Sequence, residues 1–260
     1  MASVAHVAAK MHQPRGGYFK LSDFSERSYS DNLPFTGSYS ITPGTLGMTV
    51  DYLSRVMLGE TVEKGFRIAL VGAKSIGKDE IEYAGSLADK LQAAIIAGES
   101  LSNEQIRVAV RLARYDAAYR MGAKHHRPDE GAPIDATTVE DIRTLVSRTV
   151  RFFRAHGPLI DTGITFAGAY CKSVDSGNAD YLTSDTLWDL KTSKDKPKPK
   201  DVLQLVIYFL LSKRSSKSEF EDVKRIGFYN PRLNRSWTLG VADIDCDTLS
   251  RVELKVFGSC

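Results

Sequence analysis

The chain is short of cysteine, of long apolar runs and of net charge, and each shortage removes a class of protein. Its 260 residues include only three cysteines, Cys171, Cys246 and Cys260, and none of them forms a CxxC pair. An odd count without close spacing argues against a disulfide framework and against a four-cysteine zinc or iron–sulfur site. A reducing cytoplasm is the expected setting. No apolar run approaches the roughly 20 residues that a membrane helix needs, so no membrane span is expected. Met1 to Gln13 lacks the apolar stretch of a signal peptide and is expected to be a disordered tail. Formal net charge is only +3, so any attraction to a polyanion has to come from local clusters. The sequence has no internal repeat.

What is present is a core-forming composition. Hydrophobic residues make up 42% of the chain, too many for a disordered polymer. Residues 1–44, rich in Gly, Ser and Pro, read as tail and irregular structure. Residues 45–135 read as a helical region. Apolar periodicity predicts helices over Thr45–Met57, Thr61–Gly72 and Lys78–Ala97, and another opened by Ser102 or Asn103 as cap. The texture changes across 136–260. A helix is predicted from Thr137 to about Ala155, ended by Gly157-Pro158. Strands are predicted over Ile164–Val174, Gly177–Leu182 and Thr186–Thr192. A buried helix over Asp201–Lys213 and closing strands Arg225–Asn230 and Arg235–Val241 follow. The pattern is α+β with a mixed sheet.

The chemistry concentrates in the second and third strands. A short turn at Ser184-Asp185 would set Asp180 alongside Asp189, and antiparallel partners have Cβ atoms only about 4.5–5.5 Å apart. Two carboxylates at that separation repel unless a cation lies between them. Hard ions such as Mg²⁺ or Mn²⁺ take such oxygen ligands and keep waters for chemistry. Lys191, two residues beyond Asp189, shares its strand face. An ammonium there can orient an attacking water and offset charge developing on a phosphate. The Leu190 carbonyl is a further possible metal ligand.

Gly177-Asn-Ala-Asp180, Asp189-Leu-Lys191 and Gln204-Leu-Val-Ile-Tyr208 together resemble the PD-(D/E)XK nuclease superfamily. The branch most similar in pattern is the RecB-like and λ-exonuclease-like group, whose motifs run GxxD, (D/E)xK and QxxxY. The resemblance covers about residues 137–241. It implies a restriction-endonuclease-like core, a mixed central sheet flanked by helices, with a helical N-terminal region. It implies metal ligands at Asp180 and Asp189 and a catalytic Lys191. Gln204 and Tyr208 would share one helix face and reach the DNA backbone or brace the site. Ala179 stands where many members have proline. A ligand on the preceding helix falls on Glu140 or, second, His156. The implied activity is hydrolysis of DNA phosphodiester bonds with Mg²⁺ or Mn²⁺. RNA, exonuclease or endonuclease action, a homo-oligomer, and a role in repair, recombination, phage metabolism or defence all stay open. The alternative is a catalytically inactive nucleic-acid-binding module that retains the nuclease fold.

Weaker signals remain. Gly72-Ala-Lys-Ser-Ile-Gly77-Lys78-Asp79 nearly matches the phosphate loop GxxxxGK[ST], but Asp79 replaces the Mg²⁺-binding hydroxyl, and a helix-to-helix turn is expected. His125-His126, in a proline-containing loop, are expected to be solvated. The lysines from Lys194 to Lys200 form a basic cluster suited either to solvent or to phosphate contact. Arg107, Arg111, Arg114 and Arg120 offer a second basic face.

Overall fold

The computed structural model describes residues 2–96, 101–125 and 133–258. The chain divides into two compact units, Met1–Ser30 with Phe153–Cys260, and Asp31–Phe152. These boundaries lie at 30/31 and 152/153, whereas composition alone suggests 44/45 and 135/136. His126 and Pro128 of the expected histidine loop lie outside the described residues, as does Cys260.

The N-terminal segment is not a loose tail. It forms helix α1 (Val4–Lys10) and strand β1 (Ser25–Ser28). Ser3 caps α1 by accepting the His6 N–H, and Val4 and Ala8, one turn apart, are fully buried. Its apolar residues are small, so no stripe of large side chains announces this helix in the sequence.

The unit spanning Asp31–Phe152 is helical. It holds α2 (Pro43–Met57), α3 (Val62–Gly65), α4 (Arg67–Lys74), α5 (Lys78–Ile96), α6 (Asn103–Ala113), α7 (Asp116–Met121) and most of α8 (Ala136–Ala155). Its helix starts follow capping chemistry. Thr42 accepts the Thr45 N–H with Pro43 in the first turn, and Ser102 and Gln105 form a capping box. The single helix expected over Thr61–Gly72 is two, divided at Phe66, whose buried ring packs edge-on against Tyr52. Gly72 lies inside α4. A Cβ added there would sit 2.0 Å from the Tyr115 carbonyl oxygen, so this glycine lets α4 approach the turn before α7. Among the described residues no strand leads into it, and the phosphate-loop resemblance is a helix-to-helix turn.

The other unit adds β2 (Leu159–Ile164), β3 (Ala179–Thr183), β4 (Thr186–Leu190), α9 (Pro199–Arg214), β5 (Arg225–Asn230), β6 (Arg235–Gly240) and α10 (Cys246–Phe257). The strand expected over Ile164–Val174 is therefore displaced to Leu159–Ile164. Asp161, Thr162 and Gly163 break its apolar pattern, and Gly168 at φ +77° turns the chain after it. The helix α10, capped by Asp245, is not among the expected elements.

The sheet has six strands in the order β1-β6-β5-β4-β3-β2. Only β4 and β5 pair in parallel; the other neighbours are antiparallel. Parallel neighbours need a crossover connection, and α9 supplies it. Leu182, Leu187, Ile226, Phe228 and Trp237 share one hydrophobic core with α1, α9 and α10. Residues on the other face, by the two-residue alternation of a strand, include Tyr181 and Trp188; Phe153 stacks on the former at 4.0 Å. The architecture is α+β, a mixed six-stranded sheet flanked by helices. Among the described residues no helix is long and apolar enough to cross a membrane. Cys246 is a free, exposed thiol, and Cys171 is disulfide-bonded.

Candidate active site

The β3–β4 hairpin brings the acidic pair together. Its register pairs Tyr181 with Trp188 and Leu182 with Leu187, and one step outward faces Asp180 with Asp189. Both project to the side covered by α9, because Trp188 and Tyr181, their chain neighbours, take the opposite face. Asp180 Oδ2 accepts the Leu190 N–H at 2.7 Å. That bond fastens the end of β4 to the start of β3. Leu190 closes β4 opposite Tyr229, and the Lys191 N–H donates to the Tyr229 carbonyl at 2.9 Å. Lys191 is thereby held at the strand end rather than released into the loop.

Asp189 is 3% exposed. Lys191 Nζ lies 2.8 Å from its Oδ2 and 3.7 Å from Asp201 Oδ1. The closer contact is a charge pair on Asp189 Oδ2, a buried oxygen with no other hydrogen-bond partner among the described residues. Burial pushes the Asp189 carboxyl up to about 7, with Asp180 and Asp201 adding to the rise and Lys191 opposing it. Burial alone would lower the Lys191 ammonium, but Asp189, Asp201 and Asp180 outweigh it and hold the group above its ordinary value. Three carboxyl groups, Asp180, Asp189 and Asp201, thus surround one ammonium, and burial together with the two neighbouring acids keeps a proton on Asp189 to higher pH.

The helix α9 completes the arrangement. Gln204 Nε2 donates to the Tyr208 hydroxyl at 3.1 Å. Burial raises the Tyr208 phenol, and the Asp189 charge raises it further. Gly177 explains its own identity: an added Cβ would lie 2.6 Å from Val4 Cγ2 and 3.2 Å from Tyr208 Cε1. The glycine and Asp180 of one motif, Asp189 and Lys191 of the second, and the tyrosine of the third therefore meet in one place.

Asp201 joins the site without having been expected there. It lies in the first turn of α9, where its Oδ2 accepts the Lys198 N–H at 2.8 Å, while Oδ1 faces Lys191. The available signal is Lys198-Pro199-Lys200-Asp201, a proline start followed by an acidic residue in the first turn.

Other candidates are placed differently. Glu140 belongs to the helical unit and pairs with Arg143 at 3.1 Å. His156 receives or donates a hydrogen bond with the Tyr29 hydroxyl at 3.2 Å and packs edge-on against Trp188, so it lies on the sheet face opposite Asp189. In the basic cluster, Lys196 pairs with Glu26 and Lys198 with Asp195. Lys194 and Lys200 are exposed and have no ion pair among the described residues. Arg107 donates to the Ile134 carbonyl, Arg111 pairs with Glu104 and Arg120 with Asp116, so the second basic face is largely spent within its own unit. His125 is exposed in a short 3-10 turn.

The carboxylates of the site that could contribute to holding a hard divalent cation are Asp180 and Asp189. Both offer carboxylate oxygens; Asp189 Oδ2 is buried against the Lys191 ammonium, and Asp180 Oδ2 accepts the Leu190 N–H. Among the described residues no group of three or more His, Cys, Asp or Glu side chains is arranged to hold a metal ion. Mg²⁺ is commonly held by one or two carboxylates, with waters and substrate phosphate completing its shell. No family model, curated protein or solved structure matches the chain.

Proposed function

We propose that the chain is a metal-dependent nuclease of the PD-(D/E)XK kind, with a restriction-endonuclease-like core, hydrolysing DNA phosphodiester bonds. The observation that carries the reading is the convergence of Asp180, Asp189 and Lys191 beneath Gln204 and Tyr208. It includes a buried Asp189 oxygen whose close polar neighbour is the Lys191 ammonium, at 2.8 Å. A surface salt bridge would not need Asp189 buried beside two more acids.

Asp180, Asp189 and the Leu190 carbonyl would hold Mg²⁺ or Mn²⁺, which supplies Lewis acidity to a phosphoryl oxygen and to a bound water. Lys191 presents its ammonium at the rim of the pair, where it orients the attacking water and offsets charge on the phosphate. Asp180 keeps β4 in register through Leu190. The buried Tyr208 ring, held by Gln204, lies close enough to feel the Asp189 and Asp180 charges and would limit water beside them. Lys194, in the loop after β4, and Lys200, in the first turn of α9, would meet the phosphate backbone of the substrate.

The test is incubation of the full chain with linear, circular and single-stranded DNA, each with Mg²⁺, Mn²⁺ or EDTA. The reading expects cleavage that needs the metal. Cutting of closed circles identifies an endonuclease, and cutting of linear DNA alone an exonuclease. Binding of DNA without cleavage under every condition supports the inactive-module alternative instead.

A further inference from the structure

We propose that Asp201 is a positioning residue that draws Lys191 away from Asp189 and so frees the buried carboxylate for a cation. The inference rests on the nuclease reading above. Lys191 Nζ sits 2.8 Å from Asp189 Oδ2, the atom that a cation would claim. An ammonium and a divalent cation cannot both occupy that oxygen without strong repulsion. Lys191 therefore needs a second anchor close at hand. Asp201 Oδ1, 3.7 Å from the same ammonium, is that anchor.

Three features fit the role. Asp201 is fixed by its other oxygen, which accepts the Lys198 N–H at 2.8 Å at the start of α9. It therefore holds its position when Lys191 moves. Its side chain is 19% exposed and that of Asp189 only 4%, so a charge on Lys191 is better solvated near Asp201. The Lys191 backbone is pinned by the Tyr229 carbonyl, which leaves the side chain as the part free to swing. The same carboxylate also joins the basic loop to the site, because Lys198 ends that loop.

Asp201→Asn separates the two roles, since its amide oxygen can still accept the Lys198 N–H while the charge beside Lys191 is lost. Mn²⁺ binding by calorimetry on the full chain is the readout, repeated in a Lys191→Ala background. Asp201→Asn is expected to weaken Mn²⁺ binding about tenfold, within the usual effect of removing an outer partner. With Lys191 already gone, the same substitution should change binding by less than about twofold, because no competing ammonium remains. The value of kcat for DNA cleavage should fall with KM unchanged, and Asp201→Glu should restore both. Should Asp201→Asn fail to fold, Asp201→Gln against Asp201→Glu repeats the contrast, since both residues serve at that helix position. Equal losses with and without Lys191 would show a plain charge effect and overturn the proposal, as would no loss at all. If the wild-type chain binds no Mn²⁺ and cuts no DNA, the nuclease reading itself fails and takes this inference with it.

Discussion

The carboxylate of Asp180 accepts the backbone N–H of Leu190 at 2.7 Å, so the first acidic residue fixes the strand end that carries the second. The side chain thus has a structural task beside its proposed metal-binding one, and substitution can separate them. Asp180→Asn can keep an acceptor for Leu190 and should melt within about 2–4 °C of the wild type. Asp180→Ala leaves that N–H without its charged acceptor and should cost about 2 kcal/mol. Both should lose Mn²⁺ binding by calorimetry. Retained binding in either variant would remove Asp180 from the ligand set.

Asp189 predicts an unusual pH dependence for the metal-free chain. Its carboxyl is raised from 3.8 to about 7, chiefly by burial. Between those values the folded chain holds a proton that the unfolded chain has released, so stability should fall as pH rises through that window. Asp189→Asn should flatten the profile and exceed the wild type in thermal stability at pH 8. Mn²⁺ should recover the wild-type loss and leave the variant unchanged. Thermal melts from pH 4 to 8, with and without Mn²⁺, check both statements.

Gly177 is predicted to tolerate no side chain. Alanine would press on Val4 and on the Tyr208 ring, and overpacking of this kind costs about 1–3 kcal/mol. Gly177→Ala should lower the denaturant midpoint and reduce cleavage by displacing Tyr208. Paired with Val4→Ala it should regain part of the lost stability. An unchanged midpoint would show that α1 shifts freely there.

The helical unit has its own acid-sensitive clasp. Asp31 accepts from Arg148 Nε at 2.8 Å and Nη2 at 2.9 Å, and the Arg148 guanidinium holds its carboxyl below the ordinary value. A lowered carboxyl contributes stability above its unfolded value near 3.8 and loses it as pH falls through its folded value. Asp31→Asn should therefore cost about 2 kcal/mol at pH 7. The gap from wild type should close below about pH 4. A gap that persists at low pH would assign the loss to packing instead.

Much of this arrangement is legible in the order of the amino acids. Capping residues mark Thr42, Ser102 and Gly157 as helix boundaries because local hydrogen bonds are written in neighbouring residues. The β3–β4 hairpin and α9 are legible from alternation and from an unbroken apolar stretch. The strand β2 is not, since Asp161, Thr162 and Gly163 mask it, and an edge strand needs only one apolar face. The helix α1 is hidden because Val4 and Ala8 are small, and their burial comes from a partner, α9, about two hundred residues away in sequence. Asp201 is hidden for the same kind of reason. Its capping role is local, but its approach to Lys191 depends on the crossover from β4 to β5.

The most direct test compares Mg²⁺-dependent cleavage of end-labelled DNA by the wild type and by Lys191→Ala, at matched folded concentration. The account predicts that the wild type cuts, that EDTA stops it, and that Lys191→Ala stays folded while its rate falls about a hundredfold or more. Equal cleavage by the two proteins would contradict the assignment of Asp180, Asp189 and Lys191 as the catalytic centre.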